Sequence, residues 1–263
     1  MSALLQSLPT PLRTMKVDAL SVLVFPGQAE LATYAAHEMA HFLAARIQAK
    51  GEARIILATG NSQIAFLKQL IGLQLINWSK TTLFHMDEYL GLPGDHKASF
   101  RRYMRERVET LVHPHAFHYL LGDADLPIEE CERYSNLLSE APIDLCCMGI
   151  GENGHLAFND PPVANFQDQR LVKLVKLDLA CKTQQVNEGH FPTLDAVPPY
   201  ALTLTIPALC KAERILCISP ETRKARAVRA ALRQPISTDC PASWLRTQPQ
   251  ATLLLDQDSA ALL

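Results

Sequence analysis

The chain has 263 residues, of which 25 are Lys or Arg and 27 are Asp or Glu, giving a formal net charge of −2. Charges of both signs are interspersed, so no strongly basic surface is expected for a nucleic-acid backbone or an anionic membrane. Neither class of partner is therefore predicted. A chain of this length buries roughly 70–75% of its extended-chain surface, which gives a core without disulfides or metals.

The seven cysteines show no Cys-x-x-Cys spacing and several lie in apolar runs, so they are predicted to be reduced core residues. The nine histidines supply no short metal-binding spacing, and no metal site is predicted. The first residues include Arg13, Lys16 and Asp18 and lack the apolar block of a secretory signal. No uncharged apolar run of about 18 residues follows. The sequence therefore predicts a cytoplasmic protein.

Apolar runs alternate with segments of helical periodicity along most of the chain. Strands are predicted at residues 19–25, 54–58, 82–86, 143–150, 170–177, 201–206, 215–218 and 251–255. Helices are predicted at residues 28–48, 62–73, 99–111, 127–140 and 221–233. The run at 143–150 is apolar almost throughout, as expected of a parallel strand buried on both faces.

This alternation predicts an α/β fold of Rossmann-like type, with a doubly wound, mostly parallel sheet flanked by helices. Ligands of such sheets bind outside the carboxyl ends of the strands. No repeat, low-complexity tract or linker interrupts the sequence. One domain is therefore predicted over residues 1–263, with residues 1–18 as an N-terminal extension.

The first polar cluster, Thr59-Gly60-Asn61-Ser62, lies between a predicted strand and a predicted helix. This arrangement points backbone N–H groups and a helix N-terminus at one place, which suits a phosphate. It lacks the Gly-Lys-Ser/Thr of a nucleotide-binding P-loop. A plain turn in which Ser62 caps the helix is an alternative that the cluster alone leaves open.

The second cluster places Asp87 and Glu88 directly after an apolar strand. A carboxylate near such a strand can have its pKa raised toward neutrality, which suits a general base. Adjacent acids point in different directions, so at most one of them is expected to be the base. A solvated turn is the alternative.

The third cluster follows the apolar run 143–150 and contains three glycines and His155. Glycines permit close approach of the backbone, and the pKa of histidine suits proton transfer near neutrality. Asp160, five residues later, can orient the imidazole and stabilise its cation. All three clusters are predicted at the same edge of the sheet, where they would form one site.

At these residues the sequence resembles the glucosamine-6-phosphate deaminases, a family in the superfamily that also contains the 6-phosphogluconolactonases. The resemblance is most specific at residues 84–103 (FHMDEYLGLPGDHKASFRRY) and 149–161 (GIGENGHLAFNDP), and it extends from about residue 20 to 256. It implies a fold of the sugar-phosphate isomerase type, a phosphosugar substrate and no cofactor. The implied reaction opens the sugar ring, isomerises aldose to ketose through an enol, and expels ammonia from C2 of glucosamine 6-phosphate to give fructose 6-phosphate.

The resemblance also implies a role for each matched residue. Asp87 corresponds to the base that moves protons between sugar carbons, and His155 to the histidine that helps to open the ring. Asn153 and Asp160 stand where the family has residues that support the imidazole. The residues implied to bind the substrate and its phosphate are Thr59, Gly60, Asn61, Ser62, Glu88, Gly154 and Lys224.

Three departures from the family pattern concern the imidazole and the phosphate. Asn153 stands where some members carry aspartate, and Asp160 stands where glutamate is usual, which shortens the side chain by roughly 1.5 Å. The arginine usually found a few residues after Asp178 is missing, because residues 171–213 contain no arginine. Lys182 or Gln185 occupies that area, so a bidentate contact to phosphate is expected to be absent or supplied elsewhere.

Two other functions remain alternatives at this stage. A 6-phosphogluconolactonase has a motif resembling Gly-His-Thr-Ala-Ser-Leu-Phe-Pro, whereas residues 154–161 read GHLAFNDP and favour a deaminase. A non-catalytic phosphosugar sensor is the other alternative, although the roughly 20 residues before the first predicted strand are too few for a DNA-binding module. The sequence leaves a homo-oligomer open.

Overall fold

The computed structural model describes residues 8–263, in which apolar runs form strands and the periodic segments form helices. The strands are β1 Arg13–Val17, β2 Leu20–Phe25, β3 Ala53–Leu57, β4 Thr81–His85, β5 Asp87–Tyr89, β6 Ala116–His118, β7 Leu145–Met148, β8 Val172–Lys176, β9 Tyr200–Leu204, β10 Arg214–Ile218 and β11 Ala251–Asp256. The helices are α1 Gln28–Lys50, α2 Asn61–Gly72, α3 Phe100–Met104, α4 Thr110–Val112, α5 Pro127–Ser139, α6 Leu179–Asn187, α7 Ile206–Cys210 and α8 Ala225–Arg233.

In the described part of the chain, the main sheet has eight strands in the order β1-β2-β11-β10-β7-β3-β4-β6. Every neighbouring pair is parallel except β1 with β2. Strands β3 and β7, near the middle, are buried at every position, as expected where helices cover both faces. The predicted α/β class with a mostly parallel sheet is confirmed.

Alternate residues of the central strands belong to two cores on opposite faces of the sheet. Ile55 and Leu57 pack with the buried stripe of α1 and with Phe66 of α2. Ile56 packs on the other face, with Tyr134 of α5 and Val228 of α8. These two cores fix the strand ends that carry the polar clusters.

The predicted strands at 170–177 and 201–206 form, but in a second sheet. This sheet is antiparallel, with the order β5-β9-β8. The chain leaves the main sheet after β4, passes through the single residue Met86, and pairs Asp87 with Thr203. From Lys173 to Lys176, β8 alternates buried and exposed residues, as is typical of an antiparallel strand with one solvated face. The second sheet thus lies beside the carboxyl end of β4.

Three further features differ from the sequence prediction. β1 lies within the predicted N-terminal extension and adds an antiparallel edge strand, while residues 1–7 lie outside the described part. The predicted helix at 99–111 is interrupted by a π-helical turn at Arg105–Glu109. Helix α6, which was not predicted, begins at an N-cap in which Asp178 accepts a hydrogen bond from the Ala180 N–H at 3.1 Å.

No helix within residues 8–263 combines the length and apolar character that crossing a membrane requires.

Candidate active site

The three polar clusters predicted from the sequence lie together. They follow β7, β3 and β4, and these strands are neighbours in the sheet, so their carboxyl ends open at the same edge. One pocket forms there. Its lining includes Thr59, Gly60, Asn61, Ser62, Asp87, Phe100, Gly151, His155, Gln184, Gln185, Glu188, His190 and Lys224. Among the predicted site residues, Glu88, Asn153, Gly154 and Asp160 do not line it.

Asp87 points a nearly buried carboxyl group into this pocket, and its side chain is only 6% exposed. Its Oδ1 has no hydrogen-bond partner within residues 8–263. Burial, and secondarily the charge of Glu88, raise the pKa of Asp87 well above its usual value. A carboxyl group in this state binds a proton more strongly than an exposed one.

Glu88 is completely buried and points away from the pocket. Its Oε1 accepts hydrogen bonds from the N–H groups of Tyr89 at 2.9 Å and Phe100 at 3.1 Å. Its Oε2 accepts from Ser99 Oγ at 2.7 Å and from the Arg101 N–H at 3.0 Å. Because Phe100 begins α3, this carboxylate satisfies free N–H groups of the helix start. The geometry indicates a structural residue here.

His155 is held by the two side chains that the resemblance singled out. Its Nδ1 lies 2.7 Å from Oδ1 of Asn153 and 3.0 Å from Oδ1 of Asp160. Both partners are oxygen acceptors, so Nδ1 carries the hydrogen and donates. Nε2 is then the nitrogen that remains for a ligand in the pocket.

Asp160 is fully buried yet stays acidic. Burial alone would raise its pKa, but the hydrogen bond and charge of His155, together with the bond from Asn153 Nδ2 at 2.9 Å, lower it below the usual value. The shorter side chain therefore still contacts the imidazole. The amide of Asn159 fixes this turn by donating to the carbonyl oxygens of Leu156 and Leu204, each at 2.8 Å.

Two glycines of the third cluster are required by close packing. A Cβ atom at Gly151 would lie 2.2 Å from both Cε1 and Nε2 of His155, so the imidazole rests directly on this backbone. Gly154 has a φ of 87°, and a Cβ atom there would lie 2.7 Å from Sγ of Cys240. Gly154 therefore shapes the loop that carries His155 and does not itself contact the pocket.

Cys181 of α6 adds a third potential metal-binding atom beside this pair. The ligand atoms of His155, Asp160 and Cys181 lie within 4.8 Å of one another, and they are the one such group within residues 8–263. Two of these atoms are already joined in the hydrogen bond between the imidazole and the carboxylate. The arrangement favours proton transfer, and the sequence expectation of no metal site stays a prediction.

The loop from Thr59 to Ser62 forms one wall of the pocket. Gly60 has a φ of 107°, a conformation that glycine adopts readily, and α2 begins at the next residue. No side chain of residues 8–263 caps this helix start, so its first N–H groups are available to an anion. Ser62 lies inside α2, and its Oγ accepts from Gln63 Nε2 at 3.1 Å.

Lys224 also lines the pocket and is only 3% exposed. Burial, and then the charge of neighbouring Arg223, lower its pKa below the usual value. The ion pairs in this area are made by Arg223, which contacts Glu152, Glu188 and Glu221. Lys224 is thus a buried lysine side chain that faces the pocket.

Helix α6 and the residues after it contribute a wall that sequence reasoning largely missed. Gln185 lines the pocket and accepts a hydrogen bond from the Tyr89 hydroxyl at 2.6 Å, whereas Lys182 does not line it. Burial would raise the pKa of Glu188, but the hydrogen bond from His190 and the charge of Arg223 lower it to about 2. The N-cap at Asp178 is the sequence signal that could have revealed this helix.

Comparison with known proteins identifies the family. The model of the glucosamine-6-phosphate isomerases/6-phosphogluconolactonase family matches residues 26–254. The chain belongs to this family. It is 34% identical over 228 residues to a glucosamine-6-phosphate deaminase of Halothermothrix orenii, covering 84% of this chain and 92% of that protein. It is 32% identical over 216 residues to one of Bacillus cytotoxicus, covering 82% and 80%.

Solved structures of the family share the fold. A monomeric glucosamine-6-phosphate deaminase superposes with a TM-score of 0.83 at 33% identity, covering 95% of this chain and all of that one (100%). A 6-phosphogluconolactonase of Thermotoga maritima gives a TM-score of 0.70 at 20% identity, covering 90% and 98%. The second likeness concerns the fold alone.

Proposed function

We propose that the protein is a glucosamine-6-phosphate deaminase, which converts glucosamine 6-phosphate and water to fructose 6-phosphate and ammonia. The observation that carries this proposal is the convergence of Asp87, His155 and Lys224 on one pocket whose wall is the free N-terminus of α2. The deaminases of Halothermothrix orenii and Bacillus cytotoxicus support it through their similarity over most of the chain.

Ring opening is assigned to His155. Opening a pyranose breaks the bond between C1 and the ring oxygen, moves a proton onto that oxygen, and removes one from the C1 hydroxyl. Nε2 of His155 is free to carry such a proton, while Nδ1 stays bound to Asn153 and Asp160. The ionised Asp160 stabilises the imidazolium that forms, as the third group of a catalytic triad does.

Proton transfer between carbons is assigned to Asp87. Its carboxylate takes the proton from C2 of the open-chain sugar and returns one to C1, and water then adds at C2 as ammonia leaves. The raised pKa of Asp87 suits a group that must both take and give a proton. An ammonium group on C2 supplies the counter-charge that lowers this pKa on binding, which favours an amino sugar over a lactone.

The phosphate is assigned to the loop from Thr59 to Ser62 and to Lys224. Backbone N–H groups at the start of α2 and the buried ammonium of Lys224 hold it between them. This anchor fixes the open-chain sugar beside Asp87, and such orientation contributes to rate. Glu88 and Gly154 do not contact the substrate in this proposal. Glu88 holds the start of α3, and Gly154 shapes the loop that carries His155.

An assay of ammonia and ketose phosphate tests this function. Purified protein is given glucosamine 6-phosphate, galactosamine 6-phosphate and 6-phosphogluconolactone, with Asp87→Asn and His155→Gln as variants. We expect equal amounts of ammonia and fructose 6-phosphate from the first substrate, and losses of about 10²-fold or more in both variants. Hydrolysis of the lactone without ammonia release would indicate the lactonase. Binding of phosphosugars without turnover of any substrate would indicate a sensor.

We also propose a cellular location and a substrate class. All seven cysteines are unpaired and buried, which fits a reducing compartment and supports a cytoplasmic protein. The substrate is a small phosphosugar.

A further inference from the structure

The pocket holds less positive charge than a phosphate monoester requires. Among the described residues that line it, Lys224 is the one lysine or arginine, and His190 is the one imidazole besides His155. A phosphate monoester carries about −1.5 to −2 charges at neutral pH, and arginine is the usual bidentate partner. Helix α6 contributes Gln185 to the lining, and this side chain is already bonded to Tyr89.

A second pocket adjoins the first and contains the missing charge. The two pockets share Asn61, Phe100 and His190. The remainder of the second pocket, which we name the basic annex, consists of Lys97, Ala98, Ser99, Arg102, Tyr103, Glu106 and Arg107. Because Asn61 belongs to both pockets, the annex opens directly beside the phosphate loop.

The two arginines of the annex differ in the partners that their guanidinium groups already contact. Arg102 is paired with Glu106 at 2.7 Å and also donates to the carbonyl oxygen of Asp95 at 3.0 Å. Arg107 forms no ion pair within residues 8–263, and its guanidinium carbon lies 4.4 Å from the centroid of the Tyr103 ring. Such stacking orients a guanidinium while its N–H groups stay available.

Tyr103 connects this arginine to the phosphate loop. Its hydroxyl donates a hydrogen bond to the carbonyl oxygen of Gly60 at 3.0 Å, and its ring carries the guanidinium of Arg107. Arg107 is therefore held against the residue that positions the loop. It also lies in the π-helical turn Arg105–Glu109, a rare geometry that is frequent at functional sites.

We propose that Arg107 is the phosphate-binding arginine of this protein and that the phosphate of the substrate lies between Arg107 and Lys224, against the start of α2. This assignment rests on the proposed function, since it names the cation that holds the phosphate of its substrate. Arg107, in the turn that follows α3, then supplies the guanidinium contact to phosphate that Gln185 of α6 cannot make.

The test compares Arg107→Ala with Arg105→Ala. Arg105 lies in the same π-helical turn and also faces a tyrosine, with its guanidinium carbon 5.9 Å from the Tyr119 ring, but it does not line either pocket. Both variants remove one positive charge from the same turn. Arg107→Lys keeps the charge without the planar fork.

Two measurements are made on each full-length variant: the Kd of inorganic phosphate by calorimetry, and the KM for glucosamine 6-phosphate. We expect Arg107→Ala to raise both by about tenfold or more, Arg107→Lys to raise them less, and Arg105→Ala to change them less than twofold. Circular dichroism verifies that each variant is folded. Unchanged phosphate binding in Arg107→Ala, or equal weakening in Arg105→Ala, overturns the assignment.

The phosphate titration also separates this inference from the proposed function. If the wild-type protein releases no ammonia but its phosphate affinity depends on Arg107, the anion site stands and the deaminase proposal fails. If ammonia is released normally and Arg107→Ala keeps the wild-type KM and Kd, the deaminase stands and Arg107 is not the phosphate ligand.

Discussion

Oδ1 of Asp160 lies 3.0 Å from Nδ1 of His155, although the side chain of aspartate is one methylene shorter than that of glutamate. The same oxygen accepts from Nδ2 of Asn153 at 2.9 Å, so the amide is bonded to both members of the pair. The turn held by Asn159 brings the backbone close enough for the shorter side chain. The aspartate therefore reaches the imidazole directly.

Replacing Asp160 by asparagine tests this contact. Asp160→Asn keeps the shape of the side chain and removes the charge that stabilises the imidazolium, so kcat for ammonia release is expected to fall by about 10²-fold. KM is expected to change little, because Asp160 does not line the pocket. Steady-state kinetics measure both constants. A kcat within threefold of wild type would show that the carboxylate charge is not used.

Adding one methyl group at Gly151 tests the position of the imidazole. In Gly151→Ala the new Cβ would collide with His155, whose Cε1 and Nε2 atoms lie 2.2 Å from its position. Displacement of the ring by about 1 Å is expected to lower kcat on the order of 10²-fold. Gly72→Ala is the matched control, since a Cβ atom at Gly72 in α2 meets nothing within 4 Å. That variant is expected to keep full activity, and equal losses in both would contradict the account.

Asp87 is expected to lower stability as the pH rises. Burial, then the charge of Glu88, raise its pKa in the folded state, while in the unfolded chain it ionises near its ordinary value of about 4. The folded state binds the extra proton, so its stability falls as the pH rises from about 4 toward the raised pKa. Asp87→Asn removes this effect together with the activity.

Urea denaturation at several pH values measures the difference between wild type and Asp87→Asn. The advantage of the variant in free energy of unfolding is expected to be small near pH 4 and to grow toward pH 7. If this difference in free energy of unfolding shrinks between pH 4 and pH 7, the pKa of Asp87 is not raised in the folded protein.

Glu88→Gln tests the structural role of the neighbouring acid. Four donors bond to this buried carboxylate, from Tyr89, Ser99, Phe100 and Arg101. Its loss is expected to lower the free energy of unfolding by about 2 kcal/mol or more, because hydrogen bonds to charged groups are strong. KM measured well below the melting temperature is expected to stay within a few-fold of wild type. A large rise in KM without loss of stability would favour substrate binding by Glu88.

The sequence predicted most of the main sheet because periodicity and apolar runs reflect burial. The run at 143–150 is apolar at nearly every position and contains the buried strand β7. β1 was missed because it is an exposed edge strand with Lys16 and little apolar character. The second sheet could not be foreseen, since the pairing of Asp87 with Thr203 joins residues far apart in the chain.

The sequence predicted those parts of the candidate site that lie in short motifs directly after strands. Asp87, His155 and the loop from Thr59 to Ser62 meet because each follows one of three adjacent parallel strands. The sequence predicted that Asp87 and Glu88 point in different directions. It did not show that Asp87 lines the pocket while Glu88 bonds to the start of α3. The contact of Arg107 with Tyr103, whose hydroxyl bonds to Gly60, depends on packing of the turn Arg105–Glu109 against α2, which no short sequence pattern indicates.

Glucosamine 6-phosphate labelled with deuterium at C2 tests the central claim most directly, by NMR of the product. If Asp87 moves the proton from C2, the wild-type protein gives fructose 6-phosphate, with the deuterium at C1 or in the solvent, and Asp87→Asn leaves the substrate unchanged. Release of ammonia with the deuterium still on C2 would mean direct displacement of the amino group without carbon–hydrogen cleavage. That result would contradict the account.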